Sequence, residues 1–166
     1  MASITRRGAT VHTVGELPAV GSTAPAFTLT GTDMRDVTRP EGVRTVLNIF
    51  PSVDTGTCAT SVRTFNKLAA DLADTHVICV SADLPYALSR FCGAEGIDKV
   101  TTASSFRSTF GTDYGMTMTS GDMRGLLARS VVVLDRDGTV LHTQLVPDIG
   151  QEPDYEAALA ALGTPR

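Results

Sequence analysis

The sequence predicts an α/β fold in which helices cover a central mixed sheet and a hairpin lies near the N-terminus. Two apolar, β-branched stretches, residues 44–50 and 76–82, are each followed by helical periodicity. This order of strand, helix, strand and helix is typical of a parallel sheet with crossover helices. An Asp-Arg-Asp-Gly turn at 135–138 separates two further apolar stretches and predicts a β-hairpin, which adds antiparallel strands.

Short strands are predicted before the first buried strand. Residues 10–14 and 27–30 are rich in β-formers and are separated by Gly and Pro, which favours an N-terminal hairpin or a pair of edge strands. Residues 36–38 can form a short strand before the Pro-Glu-Gly turn at 40–42. The stretch 44–50 is then a buried strand, because its residues are apolar or β-branched and turn residues bound it.

Two helices follow the two buried strands. The first is predicted to run to about residue 73 with one face in the core, because its apolar residues recur at helical spacing: Cys58, Val62, Phe65, Ala69 and Leu72. The second, residues 85–93, begins with a proline, as first helical turns often do. It carries Cys92 near its end, and Gly93 is a candidate C-cap.

The last third of the chain is predicted to complete the sheet. Residues 111–125 are polar and rich in glycine and methionine, which favours a long functional loop over a regular element. The other predicted elements are a strand at 100–103, a helix at 106–110, strands at 130–134 and 139–146, and a closing helix at 154–162.

Composition and charge exclude several classes of function. The 166 residues, 42% of them hydrophobic, fit one domain spanning 1–166. A net charge of -4 without a run of basic residues argues against nucleic acid as a partner. The longest apolar runs are strand-sized, so no membrane span is predicted. Residues 1–8 lack the apolar core of a signal peptide, and we expect a cytoplasmic protein.

The three cysteines, Cys58, Cys79 and Cys92, are too few for a secreted disulfide framework. No Cys-x-x-Cys pair occurs, which argues against a thioredoxin-type exchange site and a zinc ribbon. The histidines are scattered without metal-ligand spacing. No phosphate loop, haem or flavin signature is present, so no cofactor and no metal is predicted.

One cysteine stands where a helix begins. The stretch 51–58, Pro-Ser-Val-Asp-Thr-Gly-Thr-Cys, follows the first buried strand, and Thr55 is the predicted N-cap. Cys58 is then the third helical residue, where backbone N–H groups have no partner inside the helix. Those donors and the positive end of the helix dipole favour a thiolate. The sequence thus indicates a reactive cysteine, with a buried structural cysteine as the alternative.

The spacing of Pro51, Thr55 and Cys58 matches the Pro-x-x-x-Thr-x-x-Cys motif of peroxiredoxins. The stretch 48–56, Asn-Ile-Phe-Pro-Ser-Val-Asp-Thr-Gly, closely resembles the thiol peroxidase branch of bacterial peroxiredoxins, of the atypical two-cysteine kind. The resemblance covers nearly the whole chain from residue 18 onward and extends to the blocks at 81–85, 89–96, 128–133 and 152–159.

This resemblance implies a thioredoxin-like fold of the peroxiredoxin type and implies catalytic roles for Cys58 and Cys92. Cys58 corresponds to the peroxidatic residue, whose thiolate attacks a hydroperoxide and becomes a sulfenic acid. Cys92 corresponds to the resolving residue, which gives an intrachain Cys58–Cys92 disulfide. Cys79 lies within an apolar strand and is interpreted as core packing.

Three further residues complete the candidate site, and each also has a simpler interpretation. The Thr55 hydroxyl can donate to a thiolate or a peroxide oxygen, or it only caps the helix. Pro51 can shield the sulfur and shape the turn, or it only ends a strand. By the resemblance Arg129 contacts the thiolate and polarises the peroxide bond; from the residues alone it is more often solvated or ion-paired. Thr57 departs from the family, whose members often carry an apolar residue there.

The resemblance implies a thiol peroxidase that reduces hydrogen peroxide and organic hydroperoxides and is recycled by thioredoxin. It also implies a homodimer, which we expect to use the active-site side and the 111–125 loop. Alternatives are a one-cysteine or glutathione-linked peroxidase in which Cys92 is incidental, a non-enzymatic peroxide sensor, and a structural protein of the same fold.

Overall fold

A computed structural model of the protein describes residues 1–163, and they form an α/β fold around a seven-stranded mixed sheet. The strands are β1 Ser3–Arg6, β2 Ala9–His12, β3 Leu29–Gly31, β4 Asp36–Val37, β5 Arg44–Ile49, β6 Thr75–Ser81, β7 Thr101–Ser104, β8 Ser130–Leu134 and β9 Val140–Leu145; the helices are α1 Gly56–Ala69, α2 Pro85–Glu95, α3 Phe110–Asp113 and α4 Tyr155–Ala161. No helix among these residues is long and apolar enough to cross a membrane.

The central sheet has the strand order β4-β3-β7-β6-β5-β8-β9. Strands β5, β6 and β7 are parallel neighbours, as the strand-helix alternation predicts. The pairs β5–β8, β8–β9, β3–β7 and β3–β4 are antiparallel. The predicted mixed sheet and the hairpin after residue 134 are therefore confirmed, and strand β5 lies near the middle of the sheet with its carboxyl end leading to Cys58.

Successive residues of β5 alternate between two apolar layers. Val46 packs into a cluster with α1, α2 and α4, and Leu47 packs into a cluster with α3 on the opposite face. Cys58, Val62 and Phe65 of α1 are buried in the first cluster. Helix α1 is thus fixed on the sheet by the predicted apolar face, and burial of a side chain such as Phe65 contributes about 1.5–3 kcal/mol.

The N-terminal hairpin pairs different strands from the predicted ones. Strand β2 pairs with β1, a strand that was not predicted, in a separate two-stranded sheet. Strand β3 instead joins the edge of the central sheet. The hairpin was difficult to predict because Ile4 and Val11 are the only side chains it buries in the core.

The stretch 111–125 is more ordered than the predicted long loop. Its first residues belong to α3, which lies at Phe110–Asp113 and not at 106–110. Met116 and Met118 are buried against the N-terminal hairpin. The backbone pairs with the chain just before β8, where Ala128 N donates to Met116 O at 2.8 Å. These two methionines are therefore core residues and are not available to a dimer surface.

Both long helices end at different residues from those predicted. Helix α1 ends at Ala69, before residue 73. Helix α2 continues through Gly93 to Glu95, and Gly96 with φ 66° is its C-cap, so the assignment of Gly93 as C-cap is wrong. A left-handed C-cap favours glycine because glycine has no Cβ.

Candidate active site

Cys58 lies in the first turn of α1 and is completely buried. Thr55 is the N-cap, as predicted: its backbone is extended, and its Oγ1 accepts a hydrogen bond from Cys58 N at 3.3 Å. The Thr55 hydroxyl in turn donates to Ser52 O at 3.2 Å. The cap therefore fixes the backbone of Cys58, and the hydroxyl proton is directed at the preceding turn and not at the sulfur.

Arg129 reaches Cys58 from the start of β8. Its side chain is almost fully buried, and Nη2 donates to Cys58 Sγ at 3.3 Å. Nε and Nη2 also donate to Ile149 O at 3.1 and 2.9 Å, which fixes the plane of the guanidinium. The residues alone favoured a solvated or ion-paired arginine; the structure instead buries this side chain on the sulfur.

The charge on Arg129 has no carboxylate counterion among residues 1–163, because none of their ion pairs within 4.0 Å involves this side chain. An isolated buried charge is strongly unfavourable unless an opposite charge or hydrogen bonds compensate it. The Ile149 carbonyl supplies only partial charge. The Cys58 sulfur, as a thiolate, is the group in hydrogen-bond contact that can supply a full negative charge.

A cavity of about 280 Å³ lies beside Arg129 and Thr55, and Cys58 is buried behind its lining. It is large enough for a small hydroperoxide. Residues from the α1 start, the N-terminal hairpin and the β8 start line it, among them Pro51, Thr55, Thr57, Arg129, Arg6 and Arg7.

Two polar groups of this cavity matter for binding. Arg129 Nη1 is buried and has no hydrogen-bond partner among residues 1–163, so a donor remains for a bound oxygen. The Thr57 hydroxyl, where the family often has an apolar residue, donates to Gly150 O at 3.2 Å. Its proton is therefore already used within the protein.

The turn before α1 is held by Asp83, which was not among the predicted site residues. One carboxylate oxygen accepts from Ser52 Oγ at 2.7 Å, and the other accepts from Val53 N at 2.9 Å and from Ser81 Oγ at 2.6 Å. Asp83 lies in one of the blocks that carry the family resemblance. No local pattern could have revealed this contact, because the partners are about thirty positions apart along the chain.

Cys92 lies on α2, half-buried, and its Sγ is 3.1 Å from Thr102 Oγ1. It lines a cavity of about 330 Å³ that is separate from the one beside Arg129. Both cysteines contact the same apolar cluster between the helices and the sheet. All three cysteines are free thiols in the described residues, and the Cys58–Cys92 pairing stays a prediction.

Cys79 is fully buried in β6. Burial raises its pKa to about 12, so it stays protonated at neutral pH. The cysteine therefore packs in the core, as expected, and is a poor nucleophile. Across residues 1–163, no group of three or more His, Cys, Asp or Glu side chains could hold a metal ion.

Comparison with known proteins identifies the family of the chain. Residues 19–159 match the Redoxin family. The chain is 61% identical to the thiol peroxidase of Mycobacterium tuberculosis (strain H37Rv) and 55% identical to that of Corynebacterium glutamicum, over 98% of this chain and 99% of each relative.

Solved structures confirm the predicted fold. A peroxiredoxin-like protein from Aquifex aeolicus superposes with a TM-score of 0.93 at 34% identity, covering 98% of this chain and 96% of that one. The thiol peroxidase from Chromobacterium violaceum has a TM-score of 0.90 at 17% identity with the same coverage, a likeness of fold alone. The chain belongs to the redoxin family and, within it, to the bacterial thiol peroxidases, which are peroxiredoxin enzymes.

Proposed function

We propose that this protein reduces hydrogen peroxide and organic hydroperoxides with Cys58 as the peroxidatic residue. The Cys58 thiolate attacks the terminal oxygen of ROOH, the O–O bond breaks, and the departing oxygen takes up a proton as ROH. Cys58 is left as a sulfenic acid, so the sulfur is oxidised by two electrons as the peroxide is reduced by two.

The contact of Arg129 with Cys58 is the observation that carries this proposal. The Nη2 to Sγ distance is 3.3 Å in a buried site, where a charge-assisted hydrogen bond is stronger than in water. The free Nη1 can donate to the departing oxygen as negative charge develops on it. Pro51 and Thr55, which line the cavity with Arg129, shape the space for the peroxide.

We assign Cys92 as the resolving residue. Its thiol attacks the Cys58 sulfenic acid, an S–S bond forms, and water leaves. A disulfide requires Cα atoms within roughly 7 Å, and Cys92 lies on the helix that packs into the same cluster as Cys58. In a reducing cytoplasm, which we propose as the compartment, such a bond is transient and catalytic.

Thioredoxin is the proposed reductant. Its dithiol reduces the Cys58–Cys92 disulfide by exchange and is itself oxidised to a disulfide. We also propose that the protein acts as a homodimer. Both proposals rest on the family to which the chain belongs.

The test is continuous turnover with NADPH, thioredoxin reductase and thioredoxin. We expect the wild-type protein to consume NADPH in proportion to added hydroperoxide, and Cys58→Ser to consume none. In Cys92→Ser, Cys58 should be oxidised once and NADPH consumption should then stop, because no Cys58–Cys92 disulfide forms for thioredoxin to reduce. A peroxide sensor would fail to turn over, and a structural protein would be insensitive to Cys58→Ser.

Intact mass after one equivalent of peroxide distinguishes the remaining peroxidase mechanisms. The proposal predicts a loss of two hydrogens and a Cys58–Cys92 linked peptide. A stable sulfenic acid or a glutathione adduct on the wild-type protein would contradict it and would favour a one-cysteine or glutathione-linked peroxidase.

A further inference from the structure

The Asp83 carboxylate joins the turn before Cys58 to the carboxyl end of β6. Its Oδ1 accepts from Ser52 Oγ, and its Oδ2 accepts from Val53 N and Ser81 Oγ, all between 2.6 and 2.9 Å. These are short, charge-assisted hydrogen bonds, the strong class of such interactions. This one carboxylate therefore ties two residues of the turn to the end of β6.

A chain of hydrogen bonds leads from Asp83 to Cys58. Ser52, held by Asp83, accepts through its carbonyl from both Thr55 N and Thr55 Oγ1 at 3.2 Å. Thr55 Oγ1 accepts from Cys58 N at 3.3 Å. Asp83 thus supports the N-cap that sets the position of Cys58 relative to Arg129.

Asp83 also stands at the beginning of the element that carries Cys92. It directly precedes Leu84, the N-cap of α2, and Leu84 makes no side-chain capping hydrogen bond. Asp83 therefore joins the connection from β6 to α2 with the connection from β5 to α1 through buried hydrogen bonds, whereas the Asp54–Arg90 pair between the turn and α2 is exposed. Any movement of the Cys58 turn toward α2 must break the contacts to Asp83 or carry them along.

We infer that Asp83 is a positioning residue that controls the balance between the two chemical steps. While its hydrogen bonds are intact, the turn holds Cys58 against Arg129 for attack on the peroxide. When they open, the turn and the first turn of α1 are released and Cys58 can reach Cys92. This inference rests on the proposed function and adds a residue that controls both of its steps.

The test measures the two steps separately in the reduced protein. Rapid mixing with hydrogen peroxide, acid quench and intact mass give the rate constant for sulfenic acid formation and the rate constant for disulfide closure. For Asp83→Ala we expect oxidation to be about tenfold slower and closure about tenfold faster, because the lost hydrogen bonds favour the open turn.

Asp83→Asn serves as the conservative variant. Its amide oxygen can accept from Val53 N, but its NH₂ group cannot accept from a donor. We expect both rate constants of this variant to lie between those of the wild type and Asp83→Ala. A residue with only a structural role would slow both steps or neither.

Asp54→Asn is the matched control. Asp54 lies in the same turn and pairs with Arg90 at 3.1 Å, but both side chains are exposed. Exposed ion pairs contribute little, and we expect both rate constants to stay within about twofold of the wild type.

Ser52→Ala provides a second test if the Asp83 variants do not fold. It removes one donor to Asp83 and should change both rate constants in the same directions by a smaller factor. Equal rate constants in the folded variants, or a decrease in both, would overturn the role of Asp83 while wild-type turnover supports the function. Absence of wild-type turnover would overturn the proposed function and this inference together.

Discussion

Replacement of Arg129 by alanine is the most informative perturbation of the site. The side chain is 2% exposed, and it is the cationic group in contact with Cys58 Sγ. Removal eliminates that donor, the buried Nη1 that has no hydrogen-bond partner among residues 1–163, and both hydrogen bonds to Ile149 O. In the proposed mechanism the Cys58 thiolate then loses its counterion, and the departing oxygen loses its donor.

The size of the effect follows from the geometry. At an effective dielectric constant of about 20, two unit charges 3.3 Å apart interact by about 5 kcal/mol, which is an upper bound. Loss of one preorganised donor at a site of developing charge typically costs about 10²- to 10³-fold in rate, or about 2.7–4 kcal/mol. We therefore expect Arg129→Ala to lower the rate constant of Cys58 oxidation by about 10²- to 10³-fold.

The measurement is rapid-quench oxidation by hydrogen peroxide, followed by intact mass. Arg136→Ala is the matched control, because Arg136 forms a half-exposed ion pair with Asp74 at 3.6 Å. It should stay within about twofold of the wild type. Arg129→Lys keeps the charge but not the fork of donors, and its rate should lie between those of the wild type and Arg129→Ala.

Thermal unfolding establishes that each variant is folded at the assay temperature. The Ile149 carbonyl loses its partners in Arg129→Ala, and an unpaired buried group costs about 1–3 kcal/mol. A folded Arg129→Ala variant that reacts within threefold of the wild type would refute the proposed role of this arginine.

Further outcomes are expected at Thr55, Gly111, Gly93 and Cys79. Thr55→Ala removes the N-cap of α1, and scanning calorimetry should give a Tm about 2–4 °C lower, for a loss of about 1 kcal/mol. Gly111→Ala places a Cβ against Thr117 Oγ1, and urea titration should show a protein that is less stable by about 1–3 kcal/mol. Gly93 lies inside α2, and a Cβ added there meets no described atom within contact distance. Gly93→Ala should therefore stabilise the protein by about 0.5–1 kcal/mol. Native alkylation at pH 8 should leave Cys79 unmodified, because burial raises its pKa to about 12. In the unfolded chain the Cys79 thiol ionises near ~8.5, whereas in the folded protein it stays protonated until the pH is much higher. The free energy of unfolding should therefore fall as pH rises above ~8.5, because only the unfolded state gains from ionisation. Urea titrations at pH 7 and pH 10 measure this difference.

Local signals were sufficient for the elements around Cys58. Three features depend only on neighbouring residues: the apolar run of β5, the Thr55 cap, and the spacing of Val62 and Phe65. The structure confirms each of them. The β8–β9 hairpin was predictable for the same reason, because its turn sequence is diagnostic.

The elements that were missed depend on distant partners. Strand β1 has little hydrophobic alternation and exists because it pairs with β2. The burial of Met116 requires the backbone of Ala128 beside it, so its sequence neighbourhood resembles a loop.

The site residues also fall into those that local sequence predicts and those that depend on distant partners. The position of Cys58 at a helix start could be read from the sequence, but the burial of Arg129 could not. Its place beside the sulfur came from the resemblance, and its hydrogen bonds depend on Ile149, a residue twenty positions away. The Asp83 contacts likewise join two loops that only the parallel pairing of β5 and β6 brings together.

We propose that Cys58, in hydrogen-bond contact with Arg129, is the sulfur that a hydroperoxide oxidises. The most direct test uses Cys92→Ser, so that a sulfenic acid cannot be resolved, with one equivalent of hydroperoxide in the presence of dimedone. Peptide mapping should find about one adduct per chain, located on Cys58. Peroxide consumption without an adduct on Cys58, or an adduct on Cys79 in its place, would contradict the account.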